Sequence, residues 1–162
     1  MADGFKYSLF SDVLFPENHV ALSDYAVLYK VLTKANHFYY LHDCLYFYCR
    51  RNDSLSVKLN CDARMKCYLL ALERYEFLRK CGYRVSELGQ CVMSLGLIRK
   101  SDISESREKE RLYCAIGKKT IRSNLSMILR ERKCPKSVKV AFVLASVGLY
   151  NWALKLKIAL RK

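Results

Sequence analysis

Glycine and proline are scarce in this chain, which has 6 glycines and 2 prolines among 162 residues. A sandwich of short strands needs many turns, so this scarcity argues against one and favours long helices. The sequence also lacks an uninterrupted apolar run of about eighteen residues, the length that a membrane-spanning helix needs. No charged and then apolar signal segment stands at the start. We therefore expect a mainly helical protein in the cytoplasm.

Metal-binding patterns are missing as well. The 8 cysteines form no Cys-x-x-Cys pair, and the 3 histidines have no metal-ligand spacing. In the cytoplasm such cysteines are expected to be reduced and mostly buried as small hydrophobic side chains. We therefore predict no metal site and no cofactor in this chain.

Acidic residues are outnumbered, with 15 Asp and Glu against 29 Lys and Arg, which gives a net charge of +14. A surface of this charge attracts phosphate-bearing ligands, nucleic acid or acidic lipid. With 52% hydrophobic residues the chain is long enough to bury a core of its own. We expect one domain built from three segments, residues 1–58, 59–133 and 134–162.

The densest mixture of predicted elements lies in residues 10–54. The proline of the Phe-Pro-Glu-Asn turn at 15–18 fixes φ and keeps the preceding residue out of a helix, so a loop is expected. Ser23 or Asp24 can then cap a helix, because their side-chain oxygens accept hydrogen bonds from unpaired amides of the first turn. Asn36 is the predicted end. The buried side of this helix is predicted to contain Ala26, Val27, Tyr29, Val31 and Leu32.

Two aromatic runs follow this helix. Phe-Tyr-Tyr-Leu at 38–41 and Leu-Tyr-Phe-Tyr at 45–48 flank a short turn, which predicts a small β-hairpin. The tyrosines either pack the hairpin or form a platform for a sugar ring. Arg51 and Ser54 come directly after the second strand. An arginine there suits recognition of phosphate, and the alternative is a solvated strand end.

The order of these motifs resembles the carboxy-terminal half of bacterial family 2 glycosyltransferases, which are of the GT-A type. Those enzymes show a Phe-Pro-Glu-Gly turn, a Glu-Asp pair at a helix start, and a Leu-Tyr-Tyr-Tyr segment followed by Arg and Ser. Asp24 matches the Asp of that pair, which in the family is the candidate base for the acceptor hydroxyl. Arg51 and Ser54 match the residues that the family places near the donor diphosphate. Ser23 stands where the family has Glu, and Cys49 stands where an Arg is common.

The resemblance implies only half of such an enzyme. The family binds its nucleotide sugar in an amino-terminal α/β unit with an Asp-x-Asp-like metal motif, and the 162 residues contain no such motif. We expect a truncated or split form, or a non-catalytic partner of a sugar transferase in polysaccharide or glycoconjugate synthesis. A partner chain would supply the nucleotide-binding half. A Mg or Mn ion and a nucleotide sugar are then expected only in the complete enzyme, and this chain is expected to be inactive by itself.

From residue 59 onward the apolar pattern becomes helical. Apolar side chains recur at helical spacing over 59–81, with Gly82 as the expected C-cap. A second helix is predicted over 85–99. The resemblance and this pattern together predict a helical bundle corresponding to the carboxy-terminal part of a GT-A glycosyltransferase. The second helix is expected to bring Leu88, Cys91, Val92, Leu95 and Ile98 to the core.

The charged stretch 101–111 reads either as a linker or as the exposed first turns of a third helix. Alternating signs at positions i, i+3 and i+4 favour the helix. Its cap would be Ser101 or Ser104, since either serine can accept a hydrogen bond from the first turn. We predict that this helix continues to Leu129 and is weakened at Gly117.

Basic residues crowd the last segment. Residues 130–139 hold five Lys or Arg against one Glu, and Val140 to Leu154 carries no charge. Ser137 is predicted to cap one final helix. Its apolar part is too short to span a bilayer, so it either packs against the core or lies in the membrane interface. The residues predicted to contact an anionic membrane are Lys133, Lys136, Lys139, Tyr150, Trp152, Lys155 and Lys157.

The alternative to a glycosyltransferase-related protein is a basic helical module that binds nucleic acid or an anionic membrane surface. Among these partners we rank the membrane before nucleic acid, and we expect a peripheral protein on its inner face. A basic module on nucleic acid can be distinguished from a glycosyltransferase-related protein by salt dependence, because binding to a phosphate backbone weakens steeply as the salt concentration rises.

Overall fold

The computed structural model describes residues 7–14, 23–37, 60–99 and 106–159. The chain divides into two compact units, Met1–Leu59 and Asn60–Lys162. Across the described residues the secondary structure is helical and contains no strand, which confirms the predicted mainly helical fold. The predicted hairpin at 38–48 lies outside the described residues and stays a prediction.

The first unit is organised by a small aliphatic core. A 3-10 helix spans Tyr7–Phe10, and α1 spans Ser23–Leu32. Val13, Val27 and Val31 are buried together, and Leu9 and Phe10 pack against them. An exposed ion pair joins Lys34 Nζ to Asp12 Oδ2 at 3.3 Å.

Helix α1 ends earlier than predicted. The helix stops at Leu32, four residues before Asn36, because the amides of Lys34 and Ala35 bond to carbonyls three residues back in a tighter turn. Ala26, Val27, Tyr29 and Val31 are buried as predicted, whereas Leu32 lies on the solvent side.

The second unit begins with α2, Cys61–Lys80, whose ends are fixed by two residues. Asn60 is the N-cap, since its Oδ1 accepts a hydrogen bond of 2.8 Å from the amide of Ala63. Gly82 follows the helix with a φ of 82°, in the left-handed region that favours glycine. The amide of Gly82 bonds to the carbonyl of Arg79, and that of Tyr83 bonds to Leu78, so the last carbonyls are satisfied.

The two helices that follow form the centre of the unit. They are α3, Leu88–Ile98, and α4, Arg107–Arg130. The predicted caps Ser101 and Ser104 are wrong, because Ser106 holds the N-cap and its Oγ accepts from the amide of Lys109 at 3.4 Å. Helix α4 continues without interruption through Gly117. The predicted weakening of the helix at this glycine is therefore not seen, and the glycine is explained by the packing of α4 against α3.

At Gly117 the backbone of α4 lies close against α3. Gly117 is buried, and a Cβ at this position would lie 2.8 Å from the backbone carbonyl oxygen of Ser94 and 3.1 Å from side-chain atoms of Leu97 and Ile98. A backbone oxygen cannot move aside as the tip of a flexible side chain can. The missing side chain therefore lets the two helices come together.

The core of the second unit draws on α3, α4 and the segment after them. Phe142, Ile121 and Ile128 are fully buried in it. Leu88 and Leu95 pack against this cluster as predicted, but Val92 is exposed, so its predicted place in the core is wrong. The buried members of the cluster are Cys91, Ile98, Ile121, Ile128, Cys134, Phe142 and Ala145.

The predicted single terminal helix is wrong, because the structure has two. They are α5, Lys136–Ser146, and α6, Tyr150–Ala159, and α5 is preceded by Pro135 at the N-cap position instead of Ser137. The break falls at Gly148, whose φ of 87° is incompatible with a continuous helix. The amides of Gly148 and Leu149 turn back to the carbonyls of Ala145 and Leu144 and close the end of α5.

Side chains fasten these two helices to α3 and α4. Arg122 Nε donates to the carbonyl of Ser146 at 2.8 Å, at the end of α5. Asn151 Nδ2 of α6 donates to the carbonyl of Ile98 at 2.9 Å, at the end of α3. The terminal segment is therefore part of the bundle and contributes to its core.

The tight contact at Gly117 predicts opposite effects of two glycine-to-alanine changes. Gly117→Ala should lower the free energy of unfolding by up to about 2 kcal/mol, because overpacking costs about 1–3 kcal/mol and helix propensity returns only about 1 kcal/mol. Gly96→Ala on α3 is the matched control, since nothing lies within 4 Å of its Cβ position. It should raise stability by roughly 0.5–1 kcal/mol. Urea unfolding measures both, and equal stabilisation by the two changes would contradict the contact.

Candidate functional site

Asp24, the predicted base, lies in the first turn of α1 and is exposed. Its Oδ1 accepts a hydrogen bond of 2.8 Å from the amide of Tyr25. Arg51 and Ser54 lie outside the described residues, so their predicted closeness to Asp24 stays a prediction.

The terminal helices and the turn between them carry six exposed apolar side chains, which we name the terminal apolar strip. Positions 140, 143 and 147, on α5 and directly after it, have the spacing of one helix face. Positions 149, 152 and 156, directly before α6 and on it, have the same spacing. Val147 is 62% exposed and Trp152 is 65% exposed. The strip consists of Val140, Val143, Val147, Leu149, Trp152 and Leu156.

Basic side chains accompany the strip, and acidic ones are missing from this part of the sequence. From Arg132 to Lys162 there are eight Lys or Arg and no Asp or Glu. Lys136 begins α5 on the same face as Val140, and Lys155 lies on α6 beside Leu156. The predicted membrane-contact residues Lys133, Lys136, Lys155 and Lys157 are all exposed, as is Trp152.

Two of the predicted membrane-contact residues make contacts within the protein. Lys139 Nζ donates to the carbonyl of Leu129 at 2.6 Å and so closes the end of α4. Tyr150 is half-buried and packs against the core cluster. Burial raises the pKa of Tyr150, while the positive charge of Arg99 opposes that shift. We therefore leave Tyr150 out of the strip and assign it to the core.

No described helix is both long enough and apolar enough to cross a membrane. Helices α5 and α6 have 11 and 10 residues, and a spanning helix needs about 20. The terminal apolar strip is thus a surface feature of two short helices.

Most of the described cysteines are buried, and for Cys91 burial also affects reactivity. Cys61, Cys67, Cys91 and Cys134 are buried as predicted, and Cys81 is exposed. Burial raises the pKa of the Cys91 thiol to about 12, and the nearby charge of Glu87 adds to this effect. A thiol with such a pKa stays protonated at neutral pH and is a poor nucleophile. Across the described residues there is also no cluster of three His, Cys, Asp or Glu side chains that could hold a metal ion.

A cluster of ionisable groups joins α2 to α4, and sequence reasoning did not anticipate it. The Asp62 carboxylate accepts from the Tyr113 hydroxyl at 2.9 Å and from Lys109 Nζ at 3.2 Å. These two hydrogen bonds hold the pKa of Asp62 below its ordinary value. The bond to Asp62 likewise raises the pKa of Lys109 and of Tyr113. Because the partners are about fifty positions apart and show no local pattern, only the fold reveals them. The carboxylate is already paired, which argues for a structural role.

The Asp62 cluster makes the stability of the second unit depend on pH. A lowered pKa means that the stabilisation is present above pH 3.8, the ordinary value, and is lost as the pH falls through the folded-state pKa. The pKa of Lys109 is raised, so its contribution to stability is present below pH 10.5, the ordinary value. This contribution is lost as the pH rises through the higher folded-state pKa. Asp62→Asn should therefore destabilise the protein at neutral pH, and this effect should shrink as the pH falls below 3.8.

Urea unfolding of the variant and the wild type between acid and neutral pH measures this difference. Glu76→Gln, at an exposed acid of the same helix, is the matched control and should show no such pH dependence. A constant difference between Asp62→Asn and the wild type across this range would show that the ion pair is not its cause.

Comparison of the chain with protein-family models, with curated proteins and with solved structures finds no match. The functional assignment therefore depends on the chemistry of the residues described above. Among them the terminal apolar strip and its basic surroundings form the most extensive candidate surface.

Proposed function

We propose that this chain is the acceptor-side, membrane-docking half of a family 2-like glycosyltransferase, held on an anionic lipid surface by the terminal apolar strip. The observation that carries the proposal is the exposure of six apolar side chains within a segment that has eight basic residues and no acidic one. The donor-binding half would be supplied by a partner chain.

Electrostatics and apolar burial would act together in this docking. Each Lys or Arg close to an anionic bilayer contributes about 1 kcal/mol of attraction. The apolar side chains add to this when they leave water for the boundary between headgroups and acyl chains. Trp152 supports the proposal further, because tryptophan is enriched at that depth of the bilayer.

The apolar character of the strip favours lipid over nucleic acid. Protein surfaces that bind nucleic acid are polar and strongly basic, and they contact phosphates with charged or hydrogen-bonding groups. Val140, Val143 and Val147 have no charged or hydrogen-bonding side-chain group. They would stay exposed to water if the protein bound a phosphate backbone. A bilayer would cover them and meet the surrounding lysines with anionic headgroups.

The transferase part of the proposal is supported by the amino-terminal unit. Helix α1 starts at Ser23, with four residues between it and the Phe-Pro-Glu-Asn segment, and places the exposed Asp24 in its first turn. This is the position at which the resembling family has its acceptor base. In a complete enzyme the ionised Asp24 would take the proton from an acceptor hydroxyl as that oxygen attacks the sugar. Arg51 would stabilise the charge that develops on the departing diphosphate.

Docking can be measured with the one tryptophan of the chain. Its emission should shift to shorter wavelength with vesicles that contain phosphatidylglycerol, because the exposed indole of Trp152 leaves water, and should not shift with neutral phosphatidylcholine vesicles. Leu156→Gln should weaken binding roughly fivefold, since burying about half a leucine side chain contributes about 1 kcal/mol.

Leu112→Gln is the matched control, because Leu112 is an equally exposed leucine on α4, outside the strip. It should bind vesicles as the wild type does. Equal weakening by both changes, or binding to RNA that exceeds binding to vesicles at about 0.15 M salt, would contradict docking through the strip.

The transferase role predicts how activity depends on Asp24. The chain by itself should not turn over a nucleotide sugar, with or without Mn²⁺ or Mg²⁺, and should show no metal-dependent binding of one, because it has no Asp-x-Asp-like motif. Calorimetry and a turnover assay test this. Turnover should appear only with a chain that carries the donor-binding half, and it should then be lost in Asp24→Asn and kept in Asp12→Asn. Turnover that is indifferent to Asp24 would contradict the proposed role.

A further inference from the structure

A second feature of the helical unit lies beside the strip and is different in chemistry. It is a groove of about 570 Å³, which we name the α4 groove, on the face of α4 that meets the end of α3 and the start of α6. Pockets for small ligands typically have volumes of about 300–1,000 Å³. The groove is therefore large enough for a small molecule.

The side chains of α4 that line the groove recur with helical spacing. Arg107, Arg111 and Lys118 supply three positive charges, and Glu110 supplies the one negative charge among the described lining residues. None of the three cations forms an ion pair within the part of the chain that the structure describes. The described lining residues thus carry an excess of two positive charges.

Part of the groove lining is apolar, and we call this part the floor. It consists of Ile98, which is buried, Cys114, which is half-buried, and Ala115, which is exposed. Asn151 also lines the groove, and its Nδ2 donates to the carbonyl of Ile98 at 2.9 Å. Cations around a partly apolar floor suit a compact anion that is attached to an organic group, and arginine in particular matches the geometry of phosphate.

The groove and the terminal apolar strip meet at Gly148. The Nζ atom of Lys118 lies 3.8 Å from the position that a Cβ at Gly148 would occupy. Gly148 stands between Val147 and Leu149, which belong to the strip, and Asn151 of the groove precedes Trp152. A cation of the groove therefore lies next to the turn that joins the two halves of the strip.

We propose that the α4 groove binds a phosphomonoester or diphosphate group through Arg107, Arg111 and Lys118. The organic part of the ligand lies over the floor formed by Ile98, Cys114 and Ala115. This binding does not depend on membrane docking, and the phosphate can belong to a soluble molecule or to a lipid headgroup at the edge of the strip.

Inorganic pyrophosphate is the probe for the shared chemistry, measured by calorimetry on the full chain at about 0.15 M salt. Saturable binding is expected. Lys118→Gln should weaken it about tenfold, the effect of losing one hydrogen bond to a charged group. Lys119→Gln is the matched control, since it removes the same charge from the next residue, which is exposed and does not line the groove. Its affinity should stay within about twofold of the wild type.

A substitution that changes the shape of the groove but not its charge distinguishes binding inside the groove from binding to a basic surface patch. Ala115→Leu adds bulk to the floor and keeps a good helix former. It should weaken binding of phenyl phosphate, whose ring would lie over the floor, more than binding of pyrophosphate, which has no organic part. Equal effects of Lys118→Gln and Lys119→Gln, or equal effects of Ala115→Leu on the two ligands, would overturn the proposal, as would the absence of saturable pyrophosphate binding. Circular dichroism checks that each variant is folded.

Vesicles distinguish the two sources of phosphate. Phosphatidic acid presents a phosphomonoester and phosphatidylglycerol a phosphodiester, and the two are compared at matched surface charge. If the protein prefers phosphatidic acid and Lys118→Gln abolishes that preference, the natural ligand of the groove is a lipid headgroup. If pyrophosphate binding depends on the groove but the protein has no preference for phosphatidic acid, the ligand is a soluble phosphate. Leu156→Gln should weaken binding to both vesicles and leave pyrophosphate binding unchanged, so failure of the strip and failure of the groove are distinguishable.

Discussion

The contact between α3 and α4 at Gly117 is the constraint on which the helical unit depends. Only a residue without a side chain lets the α4 backbone lie against the carbonyl of Ser94. That approach allows Cys91 and Ile98 of α3 to meet Ile121 and Ile128 of α4 in one buried cluster. Close packing of this kind is sensitive to a single added methyl group, because protein interiors have little free volume.

The orientation of the terminal helices follows from this core. Phe142 and Ala145 of α5 enter the same cluster, and Arg122 and Asn151 tie the ends of α5 and α6 to α3 and α4. With one side of α5 committed to the core, its opposite side must face outward. That side carries valines instead of the polar residues that a solvated surface usually has, and this is the physical basis for proposing a lipid surface as the partner.

The sequence was informative where a pattern is local and periodic. Helices α2 and α3, Gly82 after α2 and the buried side of α1 were predictable, because apolar spacing and a glycine at a helix end act over a few residues. The break at Gly148 was not, since a glycine inside an apolar run is compatible with a continuous helix until packing selects a positive φ. Ser106 was missed because several nearby serines have the same capping chemistry. The pairing of Asp62 with Tyr113, and the α4 groove beside Gly148, depend on contacts between distant segments.

The central claim is that the bundle stays folded while the terminal apolar strip enters the membrane interface. Quenching of Trp152 by lipids brominated at defined acyl positions tests it most directly, because quenching requires the indole to lie near the bromine atoms. We predict strong quenching by shallow bromines, weak quenching by deep ones, and an unchanged helical circular dichroism spectrum. Vesicle-bound protein whose Trp152 is not quenched at any depth would contradict the account.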